Sequence, residues 1–181
     1  MFASIPRLAL ACLLVLALAC SGPEMAPAGG ELLSTYEPTP HEVVRRMLIL
    51  AEARPGDLLY DLGSGDGRIV IAAASDFKVK ALGFELDPEL ARRSMKRIQA
   101  MRIGRLARIE QSDLMTADFS QPDVVTCYLT PEGLEKVAPK LAAELRPGAR
   151  VAAYKFPLPG WTPEKTETLR DPDPEIPPHE I

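Results

Sequence analysis

Apolar positions recur along the chain with two alternating periods. Within Thr39–Ala53, Val43, Val44, Met47, Leu48 and Leu50 fall at helical spacing, and Thr39-Pro40 suits a cap with proline in the first turn. After the turn "RPGD", the short apolar run Leu58–Leu62 predicts a buried strand and Arg68–Ser75 a helix. The alternation continues with a strand over Ala81–Glu85, the helix of "DPELARRSMKRIQAM", and strands over Ala107–Asp113 and Asp123–Leu129. Pro131–Leu145 predicts a helix broken or bent near Pro139. After a second turn, "RPGA", Arg150–Tyr154 predicts a fifth strand. Strands joined through helices of this length imply parallel βαβ units. The expected fold is therefore α/β, an open, doubly wound, mostly parallel sheet with helices on both faces.

The ends read differently. Leu8–Ala19 is an unbroken apolar run of 12 residues behind one positive charge, too short to span a bilayer comfortably and suited to the h-region of a secretory signal. Ala17 and Ala19 form an A-x-A site before Cys20, which leaves a lipoprotein signal open as well. Residues 1–20 are thus expected to be a signal, 21–35 a linker, 36–165 the folded domain and 166–181 a proline-rich tail. Export or membrane anchoring follows if Met1 is the start, and a cytoplasmic protein if translation begins at Met25.

Composition narrows the chemistry. The 181 residues are 46% apolar and carry a net charge of −4, so there is no global basic field for a nucleic-acid partner. Residues 91–108 hold seven Arg or Lys, explained by a solvated helix face or, more sharply, by an anionic membrane or acidic partner. Two of three cysteines lie in the leader, and there is no Cys/His cluster, so neither an internal disulfide nor a structural metal is expected.

The densest chemistry lies where the first strand turns into a helix, "YDLGSGDGR". Asp61, Gly63, Ser64, Gly65, Asp66 and Gly67 make a loop whose backbone can approach a ligand closely. Glu85 closes the second strand twenty residues after Gly65, where a carboxylate can accept both ribose hydroxyls of a nucleoside. The glycine spacing is not the G-x-G-x-x-G of dinucleotide sites, and two carboxylates would repel a pyrophosphate. They suit a nucleoside with a cationic amino-acid tail, which points to S-adenosylmethionine.

Asp61–Gly67 resembles motif I of the class I, seven-strand S-adenosylmethionine-dependent methyltransferases, which have a Rossmann-like sheet. That resemblance implies ribose binding by Glu85 and adenine contact by Asp113, in "QSDLM". "TYEPTP", "GFELDPEL" and "ARVAAYKFPLPGWTP" extend the likeness to the mitochondrial lysine methyltransferases of the ATP synthase c-subunit and adenine nucleotide translocase, and to their bacterial relatives. By that resemblance Tyr36 and Thr39 close over the cofactor's amino-acid end. The tail after Trp161 departs from the pattern and is too short for two ordinary final strands, so these are expected to be missing or shortened.

The expected function is methyl transfer to a protein lysine, with a small-molecule acceptor, an exported non-catalytic binding protein of the same fold, or an NAD-dependent oxidoreductase as rivals. A lysine nucleophile must lose a proton, which an apolar aromatic channel favours. Tyr128, Phe156 and Trp161, all following strand ends, are the expected channel wall, with Tyr128 and Asp66 as the catalytic candidates. Ordinary strand-end packing explains Tyr128 and a loop anchor explains Trp161 nearly as well, and Asp66 can instead support the loop. Lys155 reads as a solvated strand-end lysine or a substrate contact.

Overall fold

In a computed structural model the described residues are Gly30, Leu33, 36–171 and 173–181. The expected leader and most of the linker lie outside them. Five parallel strands form one sheet: β1 (Leu58–Leu62), β2 (Lys80–Glu85), β3 (Ala107–Gln111), β4 (Val124–Cys127) and β5 (Arg150–Ala153), in the order β3-β2-β1-β4-β5. The helices are α1 (His41–Leu50), α2 (Arg68–Ser75), α3 (Pro88–Ala100) and α4 (Pro131–Glu144).

The central strands β1 and β4 are buried on both sides, which is why their apolar runs show no alternation, whereas the edge strand β3 alternates and exposes Arg108. Val43, Val44, Met47 and Leu48 of α1 pack with Val70 and Ala73 of α2, Ala91 and Ile98 of α3, and Leu59 of β1 into one core. Tyr60 and Leu62, the opposite side of β1, face a second core with Leu134, Val137 and Leu141 of α4. Cys127 is buried there, its thiol pushed up to about 12 by burial and then by the charge of Asp61.

The chain winds outward from β1 to β3, then returns across β1 to build β4 and β5. That reversal places a crevice between the carboxyl ends of β1 and β4. The opposite, amino end of the sheet is closed by paired charges: Asp57 accepts from Arg150 at 2.8 Å and from the Arg54 amide at 3.1 Å.

Three expectations shift. The first helix starts at His41, after Pro40 as its cap, with no side-chain cap from Thr39. α4 runs continuously through Pro139, whose exposed position leaves the freed carbonyl of the preceding turn to water. Leu33, inside the expected linker, packs against the second core, and its carbonyl accepts from Thr130 Oγ1 at 3.0 Å.

The tail is structured as well. β6 (Thr168–Leu169) and β7 (His179–Glu180) pair antiparallel as a separate two-stranded ribbon, so among the described residues the main sheet has five strands. The ribbon is pinned by Arg46–Glu167 at 2.5 Å, by Tyr154 Oη with His179 Nδ1 at 2.7 Å, and by Leu169 and Ile181 against the first core. Among the described residues no helix is long and apolar enough to cross a membrane.

Candidate active site

Four successive strand ends contribute to one cleft: Asp61 in β1, Glu85 ending β2, Asp113 after β3 and Tyr128 after β4. The cleft is open to solvent at its mouth and runs from Asp61 and Glu85 past Asp113 to Tyr128.

Its floor is the glycine loop. The Gly63 and Ser64 amides donate to the Phe84 carbonyl at 3.1 and 2.9 Å, which ties the loop to the end of β2. Gly65 has φ +54°, and a Cβ there would meet the Tyr36 ring at 2.9 Å. Its amide donates to Glu85 Oε2 at 2.6 Å, while Glu85 Oε1 accepts from the Asp87 amide at 2.9 Å. Each Glu85 oxygen therefore keeps one lone-pair direction for a ligand, and the carboxylate is fixed before any ligand arrives. Gly67 lies behind the loop, capping α2 against Ser94, and does not line the cleft.

Asp61 is 2% exposed. Its Oδ1 accepts from Thr126 Oγ1 at 2.8 Å, and its Oδ2 is buried with no partner. Burial pushes the carboxyl up to about 7; the Thr126 hydrogen bond opposes this, and the charges of Glu85 and Asp66 add to it. Ser64 Oγ is likewise buried without a partner and lines the same cleft. Buried polar atoms are nearly always satisfied, so two orphans facing one cleft mark where a ligand's polar groups belong. The third orphan among the described residues, Arg46 Nε, sits beside the tail ribbon.

Asp66 lines the same cleft, but its carboxylate is engaged by arginines. Its two oxygens accept from Arg68 Nε at 2.8 Å and from a terminal guanidinium nitrogen at 2.9 Å, with Arg97 at 3.5 Å. Burial raises its carboxyl, but Arg68 and then Arg97 outweigh this and hold it below the ordinary range. Arg68 also donates to the Thr39 carbonyl at 2.6 Å, so Asp66 acts on the cleft through the strap at 36–40. Thr39 is buried in the wall and Tyr36 is half-exposed over Gly65, so both stand beside the loop. Asp113 lines the cleft while its Oδ1 accepts from the Met115 amide at 2.9 Å, capping a short 3-10 turn.

At the mouth, Tyr128 lines both this cleft and an adjoining one shared with Glu37, Lys155 and Phe156. The Tyr128 ring stacks on Tyr154 with centroids 4.6 Å apart. Its hydroxyl is held protonated by burial first and by a hydrogen bond to Glu37 second. Trp161 lines neither cleft and packs against the second core, so the structure does not bring it to the channel.

Sequence reasoning missed four contributors. Thr126 is the polar residue in the buried run "VVTC", and Ser94 occupies a buried position on the stripe Ala91, Ser94, Ile98. Either could have been found as a polar residue on an apolar face. The Ser94 hydroxyl lies 2.9 Å from the Gly65 carbonyl oxygen and 2.8 Å from that of Leu90. Arg68 and Glu37 carry no such signal, because the Thr39 carbonyl that Arg68 reaches and the Lys155 that Glu37 meets are distant in sequence.

The family model that matches residues 61–165 is the ANTKMT methyltransferase domain. A protein-lysine N-methyltransferase of Saccharolobus islandicus is 42% identical over 137 residues, covering 75% of this chain and 85% of that one. A lysine N-methyltransferase of the ATP synthase c-subunit, from Xenopus laevis, is 37% identical over 151 residues, covering 83% of this chain and 66% of that one. Among solved structures, an RNA methyltransferase from Salinibacter ruber in complex with S-adenosyl-L-homocysteine is 40% identical with a TM-score of 0.72, covering 80% of this chain and 91% of that one. With a cleft at its switch point and these matches, the chain belongs to the ANTKMT methyltransferase family, within the S-adenosylmethionine-dependent class I fold.

Proposed function

We propose that the methyl acceptor is the side-chain amine of a protein lysine. The observation that carries this reading is the mouth of the cleft. There Tyr128 and Phe156 present aromatic surface and Glu37 a carboxylate, an arrangement suited to an alkylammonium and its methylated products. The names of the Saccharolobus and Xenopus relatives point to the same acceptor class.

S-adenosylmethionine, when bound, supplies an electrophilic methyl group on a sulfonium. Glu85 takes the ribose hydroxyls on its free lone pairs, Asp61 and Ser64 take the amino-acid end, and Asp113 holds the adenine side. Tyr36 and Thr39 cover the loop, and Asp66 with Arg68 keeps that cover in place. Tyr128 contacts the acceptor, whose amine is favoured in its neutral, nucleophilic form where the wall excludes water. Catalysis on this reading is mostly alignment of amine and methyl.

The Salinibacter relative is named an RNA methyltransferase, which gives a second reading for the acceptor. Around the cleft Glu37, Asp66, Asp87 and Glu132 stand against Arg68 and Lys155, which offers no cationic track for a phosphodiester chain. Incubating the full chain with methyl-labelled S-adenosylmethionine and either unfolded α-casein or total RNA separates the two. Label in methyllysine after acid hydrolysis supports the proposal, and label confined to RNA refutes it.

The leader reading of residues 1–20 puts this activity at the cell envelope. A native N-terminus at Cys20, against Met1 or Met25, is the test.

A further inference from the structure

We infer that Tyr128, Phe156 and Glu37 form the seat of the acceptor's ammonium, and that Lys155 is its internal occupant, a pseudo-substrate that an incoming lysine must displace. This rests on the lysine-acceptor reading above. Two distant chain segments converge on one Nζ, beside its own neighbour Phe156. Lys155 donates to Tyr128 Oη at 3.1 Å, pairs with Glu37 at 3.6 Å, and lies 5.7 and 5.8 Å from the Tyr128 and Phe156 ring centroids. An ordinary surface lysine meets one carboxylate in water; this one meets the Tyr128 hydroxyl at the ring's edge, the Phe156 ring and a carboxylate.

The backbone is arranged for it. Lys155 has φ +70°, a region that residues with a side chain rarely adopt. Its amide donates to the Glu180 carbonyl at 2.8 Å and the preceding Tyr154 amide to the Cys127 carbonyl at 3.0 Å, so the tail ribbon and β4 together hold the turn. The cage shares Glu37, Tyr128 and Leu129 with the cofactor cleft, so an ammonium seated there lies at the shared wall of the two clefts. The hold is also weak enough to be reversed. Lys155 and Glu37 side chains are 44% and 63% exposed, the range in which ion pairs contribute little.

Lys155→Gln keeps the backbone constraint and removes the cation. The full-length chain, saturated with S-adenosylhomocysteine, is titrated with n-butylammonium chloride while the Phe156 ring resonances are followed by NMR. The dissociation constant should fall about five- to tenfold in Lys155→Gln, the ratio expected from losing one weak ion pair, one exposed hydrogen bond and one distant cation–π contact to a competitor. Tyr128→Leu should abolish the response in both backgrounds. With α-casein as acceptor, Lys155→Gln should lower KM for casein by a similar factor while kcat and S-adenosylhomocysteine affinity stay within about twofold.

Butylammonium binding that is equal or weaker in Lys155→Gln, or undetectable in both proteins, overturns the pseudo-substrate role. So does a rise in KM or a fall in kcat, which would make Lys155 a helper of the reaction. Failure of the lysine reading looks different: the wild type leaves casein lysines unmethylated, while the butylammonium titration still reports whether Lys155 occupies the cage.

Discussion

Asp61 provides the sharpest test of how the cleft works, through the pH dependence of cofactor binding. Its carboxyl is pushed up to about 7 from 3.8, chiefly because it is buried with one oxygen unpartnered. In the free protein it is therefore largely protonated below neutrality. A cationic amino group arriving at Oδ2 favours the charged form and draws the pKa back down. Binding below pH 7 must then release a proton. In the limit this costs about 1.4 kcal/mol, or tenfold in affinity, for each pH unit below 7. The linkage also fixes the sign for stability. Because the folded pKa lies above the unfolded one, the native state binds more protons, and stability of the free protein falls as pH rises from about 4 to about 7. The span between 3.8 and about 7 is on the order of 4 kcal/mol for this one group, an upper bound on its effect. Calorimetric titration with S-adenosylhomocysteine at pH 5.5, 6.5 and 7.5, in buffers of different ionisation enthalpy, reads both affinity and proton release. Asp61→Asn should bind more weakly at pH 7.5 and lose most of the pH slope. Affinity that is flat across this range in the wild type, with no proton released, would refute the account.

The loop and its supports give further expectations. Glu85→Ala leaves the Gly65 and Asp87 amides without their acceptor, at about 1–3 kcal/mol for each buried one; a lowered Tm and abolished cofactor binding by calorimetry should follow. Gly65→Ala places a side chain at φ +54° and drives a Cβ against Tyr36, at a cost of about 1–2 kcal/mol, and cofactor affinity should fall with stability in a denaturant titration. Arg68→Met releases the Thr39 carbonyl and Asp66 together; weaker cofactor binding with a Tm shift of only a few degrees would separate this strap effect from general unfolding. Removing residues 166–181 uncovers Leu169 and Ile181 contacts and breaks Arg46–Glu167, so hydrogen exchange should quicken at α1 and β5 while β1 stays protected.

Hydrophobic period alone determined the βαβ alternation, because a parallel strand buried on both faces and an amphipathic helix leave different marks on a sequence. The glycine loop and Glu85 were legible for a related reason: a tight turn and the acid following it in the next strand are set by local spacing. Their partners were not. Asp66 looks like a free carboxylate in "GSGDGR", and only the fold brings Arg97 and the Thr39 strap to Arg68 beside it. Trp161 follows a strand end in sequence yet packs away from the cleft, since the turn after β5 directs it onto the second core. The proline-rich tail reads as irregular, and its ribbon exists because α1 and β5 give its few apolar residues a surface to cover. Lys155 reads as solvent-facing. It becomes the occupant of an aromatic cage because Tyr128, 27 residues earlier, and the still more distant Glu37 meet it and Phe156 only in space. What the sequence by itself determined is local, the period of burial and the shape of one loop. What the tertiary structure decided is which charges are neutralised, because that depends on distances no linear spacing encodes.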